Sequence, residues 1–224
     1  MSYFYAIQKS FFDGGTFMYP ILVLSLFAIA IIIERAYVLF FKANVNKDEF
    51  LGNLQKLIFQ GNLNNAVIFA SGRSAPLTNI IKAGLVAAQK GDDTQVQVAI
   101  DEVSLKELPT VEKRTGYLAM VGNVATLLGL LGTISGLIKS FAGVSQADAA
   151  EKAALLAKGI SEALNCTAFG LIIAIPALVS YSILQGKSQH LLDDINEATV
   201  SVLNFITINR PKFGSGGKSA NPES

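Results

Sequence analysis

The residues that could do chemistry in this 224-residue sequence form two rows of small and hydroxyl-bearing side chains. Both rows advance in steps of three and four, which places each of them on one face of a helix. The first row is Gly122, Thr126, Gly129, Thr133, Gly136 and Ser140, and the second is Ala163, Thr167, Gly170, Ala174 and Ala177. Gly132 and Gly136 also form a GxxxG pair, and small residues of this kind let helices approach closely in lipid.

The hydroxyl groups of these rows have two interpretations. A single threonine in such a helix often only donates to its own backbone, so that the row serves helix packing. Two facing rows that extend over most of a membrane span are also suited to line a narrow hydrated path. On the second interpretation, Thr126, Thr133, Ser140 and Thr167 line an ion pathway.

Glu162 precedes the second row and also has two interpretations. A carboxylate at a helix N-terminus is favourable, so Glu162 could simply cap the helix. Alternatively, it lies at the entrance of a cation pathway. No Asp, Glu, Lys or His lies in the middle of an apolar run. Because a proton pathway through a bilayer normally needs a titratable group there, a second polypeptide would have to supply it.

The elements that position these rows follow from the distribution of charge. Charged residues make up 16 % of the chain, against about 25 % in an average soluble domain, and the mean hydropathy is +0.44. Runs of 20, 24 and 24 uncharged residues follow Asp13, Arg114 and Glu162. Each run is long enough as a helix to cross a hydrocarbon core of about 30 Å. We therefore predict transmembrane helices at 14–38, 115–140 and 161–185. The first is too long for the apolar part of a signal peptide, so we expect it to be retained.

The positions of the basic residues predict the topology. Segments 34–114 and 187–224 hold 14 of the 18 Lys and Arg residues, so these segments should be cytoplasmic, with the N-terminus outside and the C-terminus inside. Segment 39–114 reads as a cytoplasmic helical loop broken at Gly61, at Gly72–Pro76 and at Gly91, with strand-like alternation only at 94–100. The other predicted parts are a periplasmic segment at 1–13, a periplasmic loop at 141–160, a cytoplasmic amphipathic helix at 186–212 and a disordered tail at 213–224. The apolar stripe of that helix is Leu191, Ile195, Ala198, Val202 and Phe205.

Composition argues against several functions. A net charge of +1 disfavours nucleic-acid binding, and a single Cys and a single His leave little material for a metal site. Cys166 and His190 are too far apart on a continuous helix to act together, so we do not expect an enzyme, and we expect no cofactor. We interpret Cys166 instead as a small residue on the packed face of its helix. Three unequal spans also lack the inverted repeats of a solute transporter.

Two motifs around the rows resemble the TolQ/ExbB/MotA proton-channel family. The segment Gly129-Leu130-Leu131-Gly132-Thr133-Ile134 resembles the second-helix signature of that family. The third-helix signature is similar to Ile160-Ser161-Glu162-Ala163-Leu164, followed by Thr167-Ala168 and by Ala174-Ile175-Pro176-Ala177. Three spans are typical of the TolQ/ExbB branch, whereas MotA has four.

The resemblance implies an all-α membrane protein of the bacterial inner membrane that assembles as a homopentamer. The pentamer would surround two copies of a single-span partner of the TolR/ExbD/MotB type, whose membrane Asp supplies the missing titratable group. Thr133 and Thr167 match the hydroxyls that face this Asp, and Glu162 matches the acidic residue near the ion path. The implied function is conversion of ion motive force into mechanical work on the cell envelope. A non-conducting membrane scaffold is the alternative.

The subfamily and the ion stay open at this stage. Thr126 stands where TolQ and ExbB usually have Pro, Ser135 where they often have Trp, and Ser182 where Asn commonly follows Tyr. These departures favour a divergent member, such as the AglR-type motor of gliding motility, besides Tol-Pal or Ton roles. Rows of hydroxyl groups could coordinate Na⁺, so the conducted ion could be either Na⁺ or H⁺.

Overall fold

A computed structural model of the chain describes residues 8, 10–145 and 148–213. The regular structure of these residues is entirely helical, which confirms the all-α prediction. The helices are α1 Met18–Tyr37, α2 Lys47–Phe59, α3 Leu63–Ser71, α4 Pro76–Ala88, α5 Asp93–Glu112, α6 Thr115–Val144 and α7 Ala149–Phe213. A π-helical turn, Val38–Lys42, follows α1. Residues 94–100, whose alternation resembles that of a strand, lie within helix α5, so the alternation does not indicate a strand here.

Three helical stretches of the described chain are long and apolar enough to cross a membrane. They lie within Met18–Phe59, Asp93–Val144 and Glu151–Pro211, as the uncharged runs predicted. The first of these helices, α1, begins at Met18 and not at residue 14 as expected, because the chain turns at Gly15, which has a positive φ. Residues 149–160, which we expected in a loop, belong instead to α7. Alanine is the best helix former, and five alanines between 149 and 157 explain this extension. The expected tail at 214–224 lies outside the described residues.

The chain divides into two compact units. The first, which we call the apolar unit, comprises Met1–Arg35 and Arg114–Leu184, and the second, the polar unit, comprises Ala36–Lys113 and Gln185–Ser224. Helix α7 contributes to both, and Pro176 lies inside it without ending it. Both hydroxyl rows therefore belong to the apolar unit.

In the apolar unit, the start of α1 packs against α7. Met18, Ile21 and Cys166 form a buried cluster, and Phe169 and Leu128 pack against it. This cluster ties α1 to both helices that carry the rows. Large apolar side chains on other faces of α6 and α7 are exposed, among them Leu127, Ile134, Leu164 and Ile172, and such exposed apolar surface is typical of contact with lipid.

The polar unit is built from helices with clear start signals. The side chains of Asn46, Asn62 and Asp92 accept hydrogen bonds from backbone N–H groups of the first turns of α2, α3 and α5, as N-caps do. Pro76 occupies the first turn of α4, where its missing N–H costs nothing. The predicted breaks at Gly61, at 72–76 and at Gly91 are therefore confirmed.

The distal part of α7 buries the predicted apolar stripe within the polar unit. Leu191, Ile195, Ala198 and Val202 are each at most 4 % exposed. The Lys47 ammonium group lies 3.1 Å from Asp194 and 2.6 Å from Glu197, which ties α2 to α7. The stripe is thus a packing face, with its charged neighbours on the flank.

Candidate ion pathway

Helices α6 and α7 approach each other most closely at Gly129 and Gly170. A Cβ on Gly170 would lie 2.7 Å from the carbonyl oxygen of Ala125 and 3.1 Å from Cα of Gly129. A Cβ on Gly129 would lie 3.2 Å from Cα of Thr167. Because these neighbours are backbone atoms, no side-chain rotation relieves the contact. A side chain at Gly170 would therefore displace backbone, and one at Gly129 would require α7 to shift by a few tenths of an ångström.

The remaining packing residues of the two rows meet along the same contact. A Cβ on Gly122 would lie 2.7 Å from Cγ of Leu178, and one on Gly136 would lie 3.1 Å from Cβ of Ala163. All eight residues expected to pack are buried: Gly122, Gly129, Gly132, Gly136, Ala163, Gly170, Ala174 and Ala177. The structure thus places the small residues of both rows where helix packing needs them.

Two residues of this contact were not part of the expected rows. Cys166 is fully buried, and its Sγ fills the space that a Cβ on Gly132 would need. Ala125 is also fully buried beneath Gly170. Both are small residues three or four positions from a glycine of the rows, and this spacing was the available signal.

Thr167 makes a hydrogen bond between the two helices. Its hydroxyl donates to the carbonyl oxygen of Gly129 over 3.0 Å. The side chain is half-buried, so it lies at the edge of the packed contact and not at its centre. Thr167 therefore combines a role in packing with an oxygen that stays partly accessible.

The other three hydroxyls donate within α6. Thr126 donates to Gly122, Thr133 to Leu130 and Ser140 to Gly136, over 3.0, 2.6 and 2.9 Å. Thr126 is exposed and Thr133 half-buried, whereas Ser140 is buried against Gly159. The hydroxyls of α6 are therefore not one uniform row. Ser140 belongs to the packed face, and Thr126 and Thr133 lie beside it.

Glu162 does not cap a helix. Helix α7 begins at Ala149, so Glu162 lies more than three turns inside it and away from its unpaired N–H groups. That interpretation was wrong because the alanine-rich segment before Glu162 is helical. The carboxylate instead lies 3.5 Å from the ammonium group of Lys139 on α6.

A cavity of about 130 Å³ lies beside this ion pair, between α6 and α7. Lys139, Ser140, Lys158 and Glu162 contribute its polar lining. On another side, the carboxylate of Glu162 lies against Gly15, which has a positive φ of 76°. Sequence reasoning missed Lys139 and Gly15. The signal for Lys139 was its position as the charge that ends the second uncharged run.

Together, the fold and the site define a multi-pass helical membrane protein whose second and third apolar helices pack through glycines beside a hydroxyl-bearing edge. The model of the MotA/TolQ/ExbB proton channel family matches residues 73–197, which include both rows. The chain belongs to this family. This membership agrees with the resemblance of the two helix motifs, and the family is one of channels, not of enzymes.

The chain is similar to proteins of both the ExbB and the TolQ groups. The ExbB-like 3 protein of Synechocystis sp. is 31 % identical over 168 residues, which cover 74 % of this chain and 79 % of that protein. The biopolymer transport protein ExbB of Pseudomonas putida is 35 % identical over 108 residues, 48 % of this chain and 32 % of that protein. The Tol-Pal system protein TolQ of Pseudomonas aeruginosa is 36 % identical over 106 residues, 47 % of this chain and 44 % of that protein.

Proposed function

We propose that this chain is the channel-forming subunit of an ion-motive-force-driven motor in the bacterial inner membrane. It assembles as a homopentamer around two single-span partners of the TolR/ExbD/MotB type, each with a membrane Asp. Its N-terminus faces the periplasm and its C-terminus the cytoplasm. Family membership and the three apolar stretches support this proposal.

The observation that carries the proposal is the state of the hydroxyls of Thr133 and Thr167. Each donates to a backbone carbonyl, so its one donor is in use. A hydroxyl oxygen also has two acceptor lone pairs, and both side chains are only half-buried. The edge of the contact between α6 and α7 therefore offers hydrogen-bond acceptors to a neighbouring helix.

These acceptors suit the protonated form of a carboxyl group. A protonated Asp donates a hydrogen bond, whereas an ionised Asp only accepts. The neutral form is also the one that passes through a medium of low dielectric at the smaller cost. The partner's Asp would thus take up a proton, move past Thr133 and Thr167 while neutral, and release it on the other side. That movement is coupled to work on the cell envelope, of the Ton, Tol-Pal or gliding type.

A non-conducting scaffold is the second candidate, and one observation favours it. Thr126, Thr133 and Ser140 all donate to their own helix, which is what hydroxyls do when they serve packing alone. Ion flux separates the two functions, because a scaffold conducts no ions with its partner.

The test is Thr167→Val, which keeps the shape of the side chain and removes the hydroxyl. One hydrogen bond contributes about 0.5–1.5 kcal/mol, and about 1.4 kcal/mol corresponds to tenfold in rate. We therefore expect proton flux into vesicles that contain the chain and its partner to fall about two- to tenfold, with assembly unchanged. Thr167→Ser should keep most of the flux.

Thr199→Val is the matched control, because Thr199 lies on the same helix and donates to Ile195 within the polar unit. Wild-type flux in Thr167→Val would refute the role of this hydroxyl. Absence of flux above empty vesicles in the wild-type complex would favour the scaffold.

A further inference from the structure

We infer that Lys139 masks the charge of Glu162 and thereby limits the access of cations to the pathway. This inference rests on the proposed function and adds Lys139 as a residue that determines the rate of ion flux. It starts from the ion pair between α6 and α7, whose two charged atoms are 3.5 Å apart.

The carboxylate of Glu162 is packed on one side and faces a cavity on another. The side chain is 26 % exposed, against 57 % for Lys139. Gly15 packs against it, because a Cβ there would overlap Oε1 of Glu162 and lie 2.8 Å from its Cδ. The cavity beside the ion pair has a volume of about 130 Å³, which is ample for water.

Charge determines what enters such a cavity. A cleft lined by one sign of charge concentrates ions of the opposite sign and raises their rate of entry. Glu162 alone would attract cations into the cavity. Lys139 and Lys158 line the same cavity, so its three charged side chains sum to +1 and do not attract cations.

Removal of Lys139 should therefore increase flux. Lys139→Gln removes the ion-pair partner of Glu162 and lowers the summed charge of the cavity from +1 to zero, and we expect proton flux to rise about three- to tenfold, at or below the low end of electrostatic steering effects. Lys139→Arg should behave like the wild type. The increase in flux should be smaller at about 1 M salt, where the Debye screening length is about 3 Å. An increase caused by a change in structure alone would not depend on salt in this way.

Two variants serve as controls. Lys152→Gln removes the same charge from an exposed position of α7 that does not line the cavity, and it should leave flux unchanged. In the Glu162→Gln background, Lys139→Gln should no longer raise flux, because no charge is left to unmask. A rise in that background, an equal rise in Lys152→Gln, or no rise in Lys139→Gln would overturn the inference.

A second measurement does not depend on conduction. A water-soluble carbodiimide with a cationic amine modifies carboxyl groups, and it should enter the cavity faster when the charge of Glu162 is not masked. Modification of Glu162 in the purified protein, followed by mass spectrometry, should be faster in Lys139→Gln than in the wild type or in Lys152→Gln. Equal rates would overturn the masking role. Faster modification without any wild-type flux would instead support the masking and refute the channel.

Discussion

Gly170→Ala is the variant that most directly tests the close contact of α6 and α7. The added Cβ would lie 2.7 Å from the carbonyl oxygen of Ala125. Overpacking of this kind costs about 1–3 kcal/mol, and we take about 2–3 because the obstructing atom is backbone. Alanine regains about 1 kcal/mol of helix propensity. The net loss is therefore about 1–2 kcal/mol, or roughly 2–8 °C in midpoint temperature for a chain of this size.

The only cysteine of the chain makes this contact measurable. Cys166 is fully buried between the two helices, against Gly132. A thiol-reactive fluorescent dye therefore reports the separation of α6 from α7 when the detergent-solubilised protein is heated. Gly170→Ala should lower the midpoint of dye reaction by the amount calculated above.

Gly186→Ala is the matched control on the same helix. Nothing lies within 4 Å of the position that its Cβ would take, so the substitution gains helix propensity without a clash and should raise stability by up to about 1 kcal/mol. The packing argument fails if Gly170→Ala has the same midpoint as the wild type or moves in the same direction as Gly186→Ala.

Two further predictions concern pairs of residues in contact. Gly132→Ala should lower the free energy of unfolding because its Cβ overlaps Sγ of Cys166. Adding Cys166→Ala should restore part of that stability, with a coupling energy of about 0.5–3 kcal/mol in a double-mutant cycle followed by circular dichroism. Additive effects would refute the contact. Hydrogen bonds to Glu197 and Asp194 raise the pKa of Lys47 in the folded protein. The stabilisation by protonated Lys47 is therefore fully present below the pKa of lysine in the unfolded chain, about 10.4, and is lost as the pH rises through the pKa of Lys47 in the folded protein. Lys47→Gln should therefore be less stable at pH 8 and lose less stability than the wild type in alkaline unfolding, and parallel pH curves would contradict this.

The helices that carry the site could be predicted from the sequence because their signals are local. Each signal lies within a single helix: one is an uncharged run of 24 residues, and the other is a row of small residues at steps of three and four. The extension of α7 back to Ala149 was not predicted because its first turns are alanine-rich but carry charges, so they do not belong to an apolar run. The expected loop there is also the reason why capping was one of the two interpretations of Glu162.

Contacts between helices could be predicted only in part. The rows indicate which residues face a neighbour, but not which face of that neighbour they meet. Cys166 against Gly132, and Lys139 beside Glu162, depend on the relative rotation of α6 and α7. One residue corresponds to a rotation of about 100°, and a smaller rotation decides whether Thr133 lies in the contact or beside it. Sequence periodicity indicates the packed face but does not fix an angle smaller than one residue.

On the proposed function, packing and ion handling belong to adjacent strips of the same two helices. Glycines at 129 and 170 bring the backbones so close that the carbonyl of Gly129 is within reach of the Thr167 hydroxyl. The close contact therefore sets the position and the donor direction of that hydroxyl, which leaves its lone pairs as acceptors. It follows that a larger residue at 170 should impair proton flux even while Thr167 is retained. On this argument, the loss of flux in Gly170→Ala and the loss in Thr167→Val have one cause, so the double variant should lose little more flux than either single variant.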